Sequence, residues 1–230
     1  TGELLKKSGR TIRSVYIGGG TPTILTAEQL AFLLARIRIW IPDVEEFTLE
    51  AGRPDTITAE KLKTAVEYGV DRISVNTQTL NEEVLARIGR KHTAEEFFQA
   101  YETARSVGLK AINIDLIAGL PQDSIDGFKR SLDTVAALNP ANITVHTLAL
   151  KKGADLFEKR EGLSSAEDVT AMVEYANATL RGLDYKPYYL YRQKYMSGSF
   201  ENVGWSRDNL DCLYNIYMME EVHTILSLGG

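Results

Sequence analysis

Residues 14–23, SVYIGGGTPT, run a β-branched and aromatic segment directly into three glycines and a Thr-Pro-Thr turn. Glycine loses more backbone freedom on folding than any other residue, so three in succession mark a place that needs bare backbone or left-handed dihedrals. Thr26-Ala-Glu-Gln29 then forms a capping box, with Leu25 and Leu30 placed as a hydrophobic staple. Leu30, Leu33, Leu34 and Ile37 continue as one apolar helical face. Strand, glycine turn and capped helix make a βα unit, and the chain goes on to repeat that unit.

Further strands are expected at EFTLEA (46–51), RISVN (72–76), AINIDLIA (111–118) and NITVHTLAL (142–150), besides RSVYI (13–17). Their mostly apolar, β-branched character suits a parallel sheet covered on both faces. Thr93-Ala-Glu-Glu96 is a second capping box, leading into Phe97, Tyr101 and Ala104, with Gly108 at the C-terminal cap position. Phe128, Leu132 and Val135 form another stripe, stopped by Asn139-Pro140, and Ser165-Ala-Glu-Asp168 opens a helix burying Val169, Met172, Val173, Ala176 and Leu180. Five βα units at about 25–39 residues per step give an α/β chain, either a barrel or a doubly wound sheet. After residue 185 the aromatic, polar stretch KPYYLYRQKYMSGSFENVGW does not read as another regular unit.

The composition is that of an ordinary globular protein: 230 residues, 44% hydrophobic, 25% charged. A net charge of −5 argues against a general nucleic-acid binder. No apolar run approaches the roughly 20 residues of a membrane helix, and the first residues resemble no signal peptide, so a cytoplasmic protein with neither nucleic-acid nor membrane partner is expected. The lone cysteine, Cys212, rules out an internal disulfide framework and any site built from several thiolates of this chain. His92, His146 and His223 are too scattered for a metal cluster and read as core or hydrogen-bonded histidines. A start on Thr and an end on TILSLGG both look cut.

In parallel α/β architectures the chemistry gathers at the C-terminal strand ends. Those ends carry Gly18-Gly19-Gly20-Thr21, Glu50, Asn76 with Gln78, Asp115, and His146 running on to Ala149. Glu50 and Asp115 are carboxylates in apolar surroundings, costly to bury unless paired or bonded. Together with bare backbone they suit a polar ligand bearing hydroxyls and an amine. Taken singly, each carboxylate reads equally well as a helix cap or an ion-pair partner, and the glycines as a tight turn ahead of Pro22. GGGTPT lacks the ending of a Walker loop and the third glycine of a dinucleotide fingerprint, and no G-x-S-x-G is present.

The ordered set IGGGTPT (17–23), FTLEA (47–51), SVNTQTLNEEVLARIGR (74–90), INIDLIAGLP (112–121) and VHTLAL (145–150) resembles the oxygen-independent coproporphyrinogen III oxidase family of radical S-adenosylmethionine enzymes. LEAGRPDTIT (49–58) and YRQKYMSGSFENVGW (191–205) look closest to its coproporphyrinogen dehydrogenase branch. The resemblance implies a partial (β/α) TIM-like barrel over residues 1–150, followed by a remaining barrel or helical part with a substrate-side extension over 151–230. It further implies that Gly19, Gly20 and Thr21 hold the methionyl amine of S-adenosylmethionine, Glu50 its methionyl end and Arg90 its carboxylate. Gln78 and Asp115 would take the ribose hydroxyls, and Ala149 would approach the adenine. The family's [4Fe–4S] loop, C-x-x-x-C-x-x-C, is missing from this sequence. The implied reading is a truncated fragment that has lost its first strand and cluster loop and performs no radical chemistry alone. In the whole protein the cofactor-derived radical would remove a hydrogen from a propionate β-carbon of coproporphyrinogen III, giving protoporphyrinogen IX by way of an electron donor and acceptor. Candidate contacts to that tetra-anionic porphyrinogen are Lys151, Lys152, Arg192 and Lys194, with Tyr191 and Gln193 nearby; haem delivery by a chaperone of the same superfamily is the rival reading.

Overall fold

The computed structural model describes residue 3 and residues 7–148, 162–191 and 201–229. Five parallel strands, β1 (Ser14–Ile17), β2 (Glu46–Gly52), β3 (Arg72–Gln78), β4 (Ala111–Ala118) and β5 (Asn142–Thr147), follow one another in chain order across one sheet. The helices that return the chain are α1 (Ala27–Trp40), α2 (Ala59–Glu67), α3 (Glu82–Arg87), α4 (Ala94–Ser106), α5 (Ile125–Ala137) and α6 (Ala166–Gly182). The curled seven-stranded sheet is a partial TIM-like barrel with about five βα units.

Helix starts follow local chemistry. Thr26, Thr93 and Ser165 make reciprocal capping boxes with Gln29, Glu96 and Asp168. Thr58, Asn81 and Ser124 cap α2, α3 and α5 through their side chains. Each cap satisfies amide donors that a helix cannot pair internally.

The strands are two-faced rather than uniformly apolar. Phe47, Leu49 and Ala51 on β2, Ile73 and Val75 on β3, Ile114 and Leu116 on β4, and Ile143 and Val145 on β5 are buried in the hydrophobic core. Leu30, Leu34, Leu62, Phe97, Phe128, Leu132, Met172 and Leu180 pack there from the helices, each fully buried side chain contributing about 1.5–3 kcal/mol. The alternate residues, Glu46, Thr48, Glu50, Ser74, Asn113, Asp115, Thr144 and His146, are polar. One face of the curled sheet is therefore dry, and the other is a polar lumen.

The described parts of the segment after residue 185 include two strands that the sequence did not announce. Lys186–Tyr191 forms β6 and Asn202–Ser206 forms β7; β7 pairs antiparallel with both β5 and β6, so the sheet order is β1-β2-β3-β4-β5-β7-β6. All five residues of β7 are buried, Trp205 among them. Gly204 lacks a side chain because the Tyr189 ring lies where its Cβ would be.

Helix α7 (Leu213–Glu220) and the turn before it close the N-terminal end of the half-barrel. The Glu46 carboxylate accepts the amides of Leu213 at 2.8 Å and Tyr214 at 3.0 Å, an anion at a helix N-terminus. Arg72 Nε lies 3.3 Å from Glu46 with both side chains about 5% exposed, and its other nitrogens donate to Asn142 and to the Leu210 and Asp211 carbonyls. Two charges survive burial there because nearly every polar atom between them is paired. No helix among the described residues is long and apolar enough to cross a membrane.

Candidate functional site

A cavity of about 260 Å³ opens inside the curl of the sheet, lined by inward residues from six strands and by the α7 region. Tyr16, Thr48, Glu50, Asp115, His146 and Tyr189 form its walls, above a floor of Arg72, Cys212 and Asn215. Period-two geometry explains the convergence, since inward positions recur at every second residue of neighbouring parallel strands.

The glycine turn meets this cavity at Glu50. A Cβ on Gly18 would sit 2.5 Å from the Tyr16 ring and 2.9 Å from Glu50 Oε2, so no side chain fits. Gly19 and Gly20 adopt φ of +84° and +67°, and nothing lies within 4 Å of where their Cβ atoms would be. Left-handed dihedrals select glycine at both positions, and the space they leave is open to a ligand. Thr21 has a different role: it precedes the short turn Pro22–Ile24 and packs on Gly52. Buried Thr23 ties that turn to Ala51 O and Thr56 Oγ1. Tight-turn packing therefore accounts for Thr21-Pro22-Thr23, and open, left-handed backbone is left to Gly19 and Gly20.

Glu50 hydrogen-bonds the Tyr16 side chain and the Gly19 amide, and Asn76 Nδ2 reaches it at 3.5 Å. Burial first, and then the charge of Asp115, push its carboxyl above the usual range. Asp115 Oδ1 accepts Asn113 Nδ2 at 2.7 Å and faces His146 Nε2 at 3.8 Å. Tyr16 and Tyr189 are pushed up, chiefly by burial, with the cavity carboxylates adding to it. Arg72 directs its charge to Glu46, so among the described lining residues no Lys or Arg faces Glu50 and Asp115, which suits a positively charged ligand with hydroxyl groups.

Cys212 does not fit a cluster ligand. It is 4% exposed, donates to Glu46 at 3.4 Å, and burial pushes its thiol up to about 12. It is the only cysteine of the sequence, and among the described residues no group of three His, Cys, Asp or Glu side chains gathers as a metal site. An iron–sulfur cluster is therefore not held by this chain's own thiolates.

The structure thus brings Glu50 and Asp115 into one cavity; Gly19 and Gly20 do not line it, and the Gly19 amide is joined to it through Glu50. Gln78 is buried at φ +70°, beyond a register shift that ends β3, and does not line the cavity. Arg90, half-buried next to Gly89 (φ +72°) at the end of α3, does not line it either. Ala149, Lys151, Lys152, Arg192, Gln193 and Lys194 lie outside the described residues, and Tyr191 is exposed at the end of β6. His146 is a wall residue with its side chain 35% exposed, whereas His92 is buried with Nε2 3.3 Å from Thr77 O. Tyr16, Ser74, Asn113, Thr144 and Tyr189 were missed by reading strand ends alone. The polar-apolar alternation along each strand was the signal that identifies most of them.

Comparison with known proteins identifies the family and the fold. The family model described as the Radical SAM superfamily matches residues 2–135. The oxygen-independent coproporphyrinogen-III oxidase-like protein HemZ of Bacillus subtilis is 44% identical over 99% of this chain and 46% of its own length. The heme chaperone HemW of the same organism is 38% identical over 64% of this chain and 40% of its own length. The chain thus spans about half or less of the curated relatives it matches. Coproporphyrinogen III oxidase (HemN) from Escherichia coli, a radical SAM enzyme, shares the fold with a TM-score of 0.75 at 24% identity, covering 96% of this chain and 50% of that one.

Proposed function

Because this chain belongs to the radical SAM superfamily, we propose that its lumenal cavity is the S-adenosylmethionine site of a protein that oxidatively decarboxylates coproporphyrinogen III to protoporphyrinogen IX. The superfamily implies S-adenosylmethionine and a [4Fe–4S] cluster. The observation that carries the cofactor part is the sharing of one cavity by Glu50 and Asp115, with the Gly19 amide of the open glycine turn bonded to Glu50. Two carboxylates and bare amide suit a ligand with an ammonium, a sulfonium and a vicinal diol. Gly19, Gly20 and Glu50 would take the methionyl amine and Asp115 the ribose. Arg90 for the carboxylate, Gln78 for the ribose and Thr21 beside the amine rest on family resemblance alone, since none of them lines the cavity, and Ala149 at the adenine rests on it as well.

The coenzyme supplies the radical chemistry, while this chain binds it, orients it and shields it from water. The cluster does not fit this chain's residues, and no step is assigned to it. Likeness to HemZ, whose name is oxygen-independent coproporphyrinogen-III oxidase-like protein, supports the porphyrinogen substrate. Likeness to HemW supports a second reading, haem delivery from the same scaffold. Titration of the chain with S-adenosylmethionine tests the site: Glu50→Gln and Asp115→Ala should each weaken binding about tenfold or more, the worth of a charged hydrogen bond. Wild-type affinity in both variants would overturn it. Anaerobic turnover of coproporphyrinogen by the whole gene product, with its cluster reconstituted, separates the two activities; haem binding without vinyl formation refutes the oxidase reading.

A further inference from the structure

Asn113 stands two residues before Asp115 on the inward face of β4, and its amide has every hydrogen-bonding group engaged. Nδ2 donates to Ser74 Oγ at 2.8 Å and to Asp115 Oδ1 at 2.7 Å, and Oδ1 accepts the Thr144 hydroxyl at 3.0 Å. Those bonds leave one orientation. A carboxylate at neutral pH only accepts hydrogen bonds, so the amide must turn its nitrogen toward Asp115, and a flip would set two acceptors against each other. Thr144 holds that choice from the far side, with its own hydroxyl bonded to Tyr189. On the other side Ser74 Oγ passes on to Asn76 Oδ1 at 2.9 Å, and Asn76 reaches Glu50. The amide is the crossing point of a polar belt running from Tyr189 on β6 to Glu50 on β2.

Both contacts on Asp115, from Asn113 and from His146, fall on Oδ1. No described residue hydrogen-bonds Oδ2, and Asp115 lines the cavity. A carboxylate pinned by one oxygen presents the other at a fixed angle, and a diol needs that angle to engage both hydroxyls. We propose that Asn113 is a positioning residue, acting through Asp115, that gives the site its preference for an intact ribose diol. The inference rests on the cofactor reading above.

The test compares binding of S-adenosylhomocysteine with that of its 2′,3′-dideoxyribose counterpart to the chain. Wild type should favour the diol form about tenfold or more. Asn113→Leu, nearly the same size, should bring the two affinities within about threefold of each other while far-UV circular dichroism stays native. Thr144→Val frees the amide to flip and should give an intermediate ratio. Asn113→Asp, which turns an acceptor toward Asp115, should abolish the preference and serves if the leucine variant fails to fold. A wild-type ratio in Asn113→Leu or Asn113→Asp overturns the positioning role alone, provided that Asp115→Ala loses the preference. Absence of a preference in wild type, or its survival in Asp115→Ala, overturns the cofactor reading and this inference with it.

Discussion

Replacing Arg72 by methionine should unfasten the floor of the half-barrel. The substitution keeps most of the side-chain length and removes the charge, leaving the Glu46 carboxylate about 5% exposed with the Leu213 and Tyr214 amides, the Ser14 hydroxyl and the Cys212 thiol but no cation beside it among the described residues. It also strips donors from Asn142, Leu210 and Asp211, although Asn142 Nδ2 still reaches Leu210 O at 3.0 Å. Breaking a buried pair by removing one partner costs about 3–5 kcal/mol. At about 2–4 °C per kcal/mol for a chain of this size, the melting temperature should fall by roughly 6–20 °C. Thermal unfolding followed by circular dichroism reads the loss, and amide exchange at Leu213 and Tyr214 should accelerate with it. The double variant Arg72→Met/Glu46→Gln removes the stranded charge and should recover more than half of the deficit. A single variant within about 1 kcal/mol of wild type, or a double variant no better than the single, would refute the ion-pair account of the floor.

Glu50 is pushed up by burial and by Asp115, so its native form is most stable when protonated, and that contribution is lost as pH rises through its folded value. Glu50→Gln should therefore melt higher than wild type at pH 8, with the gap closing below the ordinary carboxylate range; an unchanged or lower melting temperature at pH 8 contradicts the electrostatics. Gly204→Ala places a methyl in the Tyr189 ring and should cost about 1–3 kcal/mol, with the cost shrinking in a Tyr189→Ala background; additive losses in a double-mutant cycle would disprove the contact. Cys212, buried with its thiol pushed up to about 12, should resist iodoacetamide at pH 8 in the native chain and react once it is unfolded; rapid native alkylation would show that the floor opens.

Local chemistry made much of this protein readable in advance. A capping box needs four residues and an amphipathic stripe about ten, so Thr26, Thr93 and Ser165 announced their helices from their own neighbourhoods. The left-handed turn at Gly19 and Gly20 was legible for the same reason, and so was the placing of Glu50 and Asp115 at the ends of parallel strands. Chain order carried the five βα repeats into a parallel sheet, because strands joined by helical crossovers pair in parallel, and the family resemblance selected the partial barrel over a doubly wound sheet.

Long-range pairing decided the rest. Strands β6 and β7 have no local signature, since a strand is stabilised by the neighbour it bonds; here β7 bonds β5, dozens of residues earlier, and β6 bonds β7. Arg72 reads as an ordinary strand charge until the fold sets Glu46, Asn142 and the Leu210 carbonyl around it. Register shifts at the ends of β2 and β3 determine that Gln78 turns aside from the cavity that Glu50 enters. By itself the sequence determined the five parallel strands, the capped helices between them and the presence of Glu50 and Asp115 on those strands. The tertiary structure decided which side chains share the lumen and in what orientation, because a hydrogen-bonded belt through Ser74, Asn113 and Thr144 exists only once three strands lie in register.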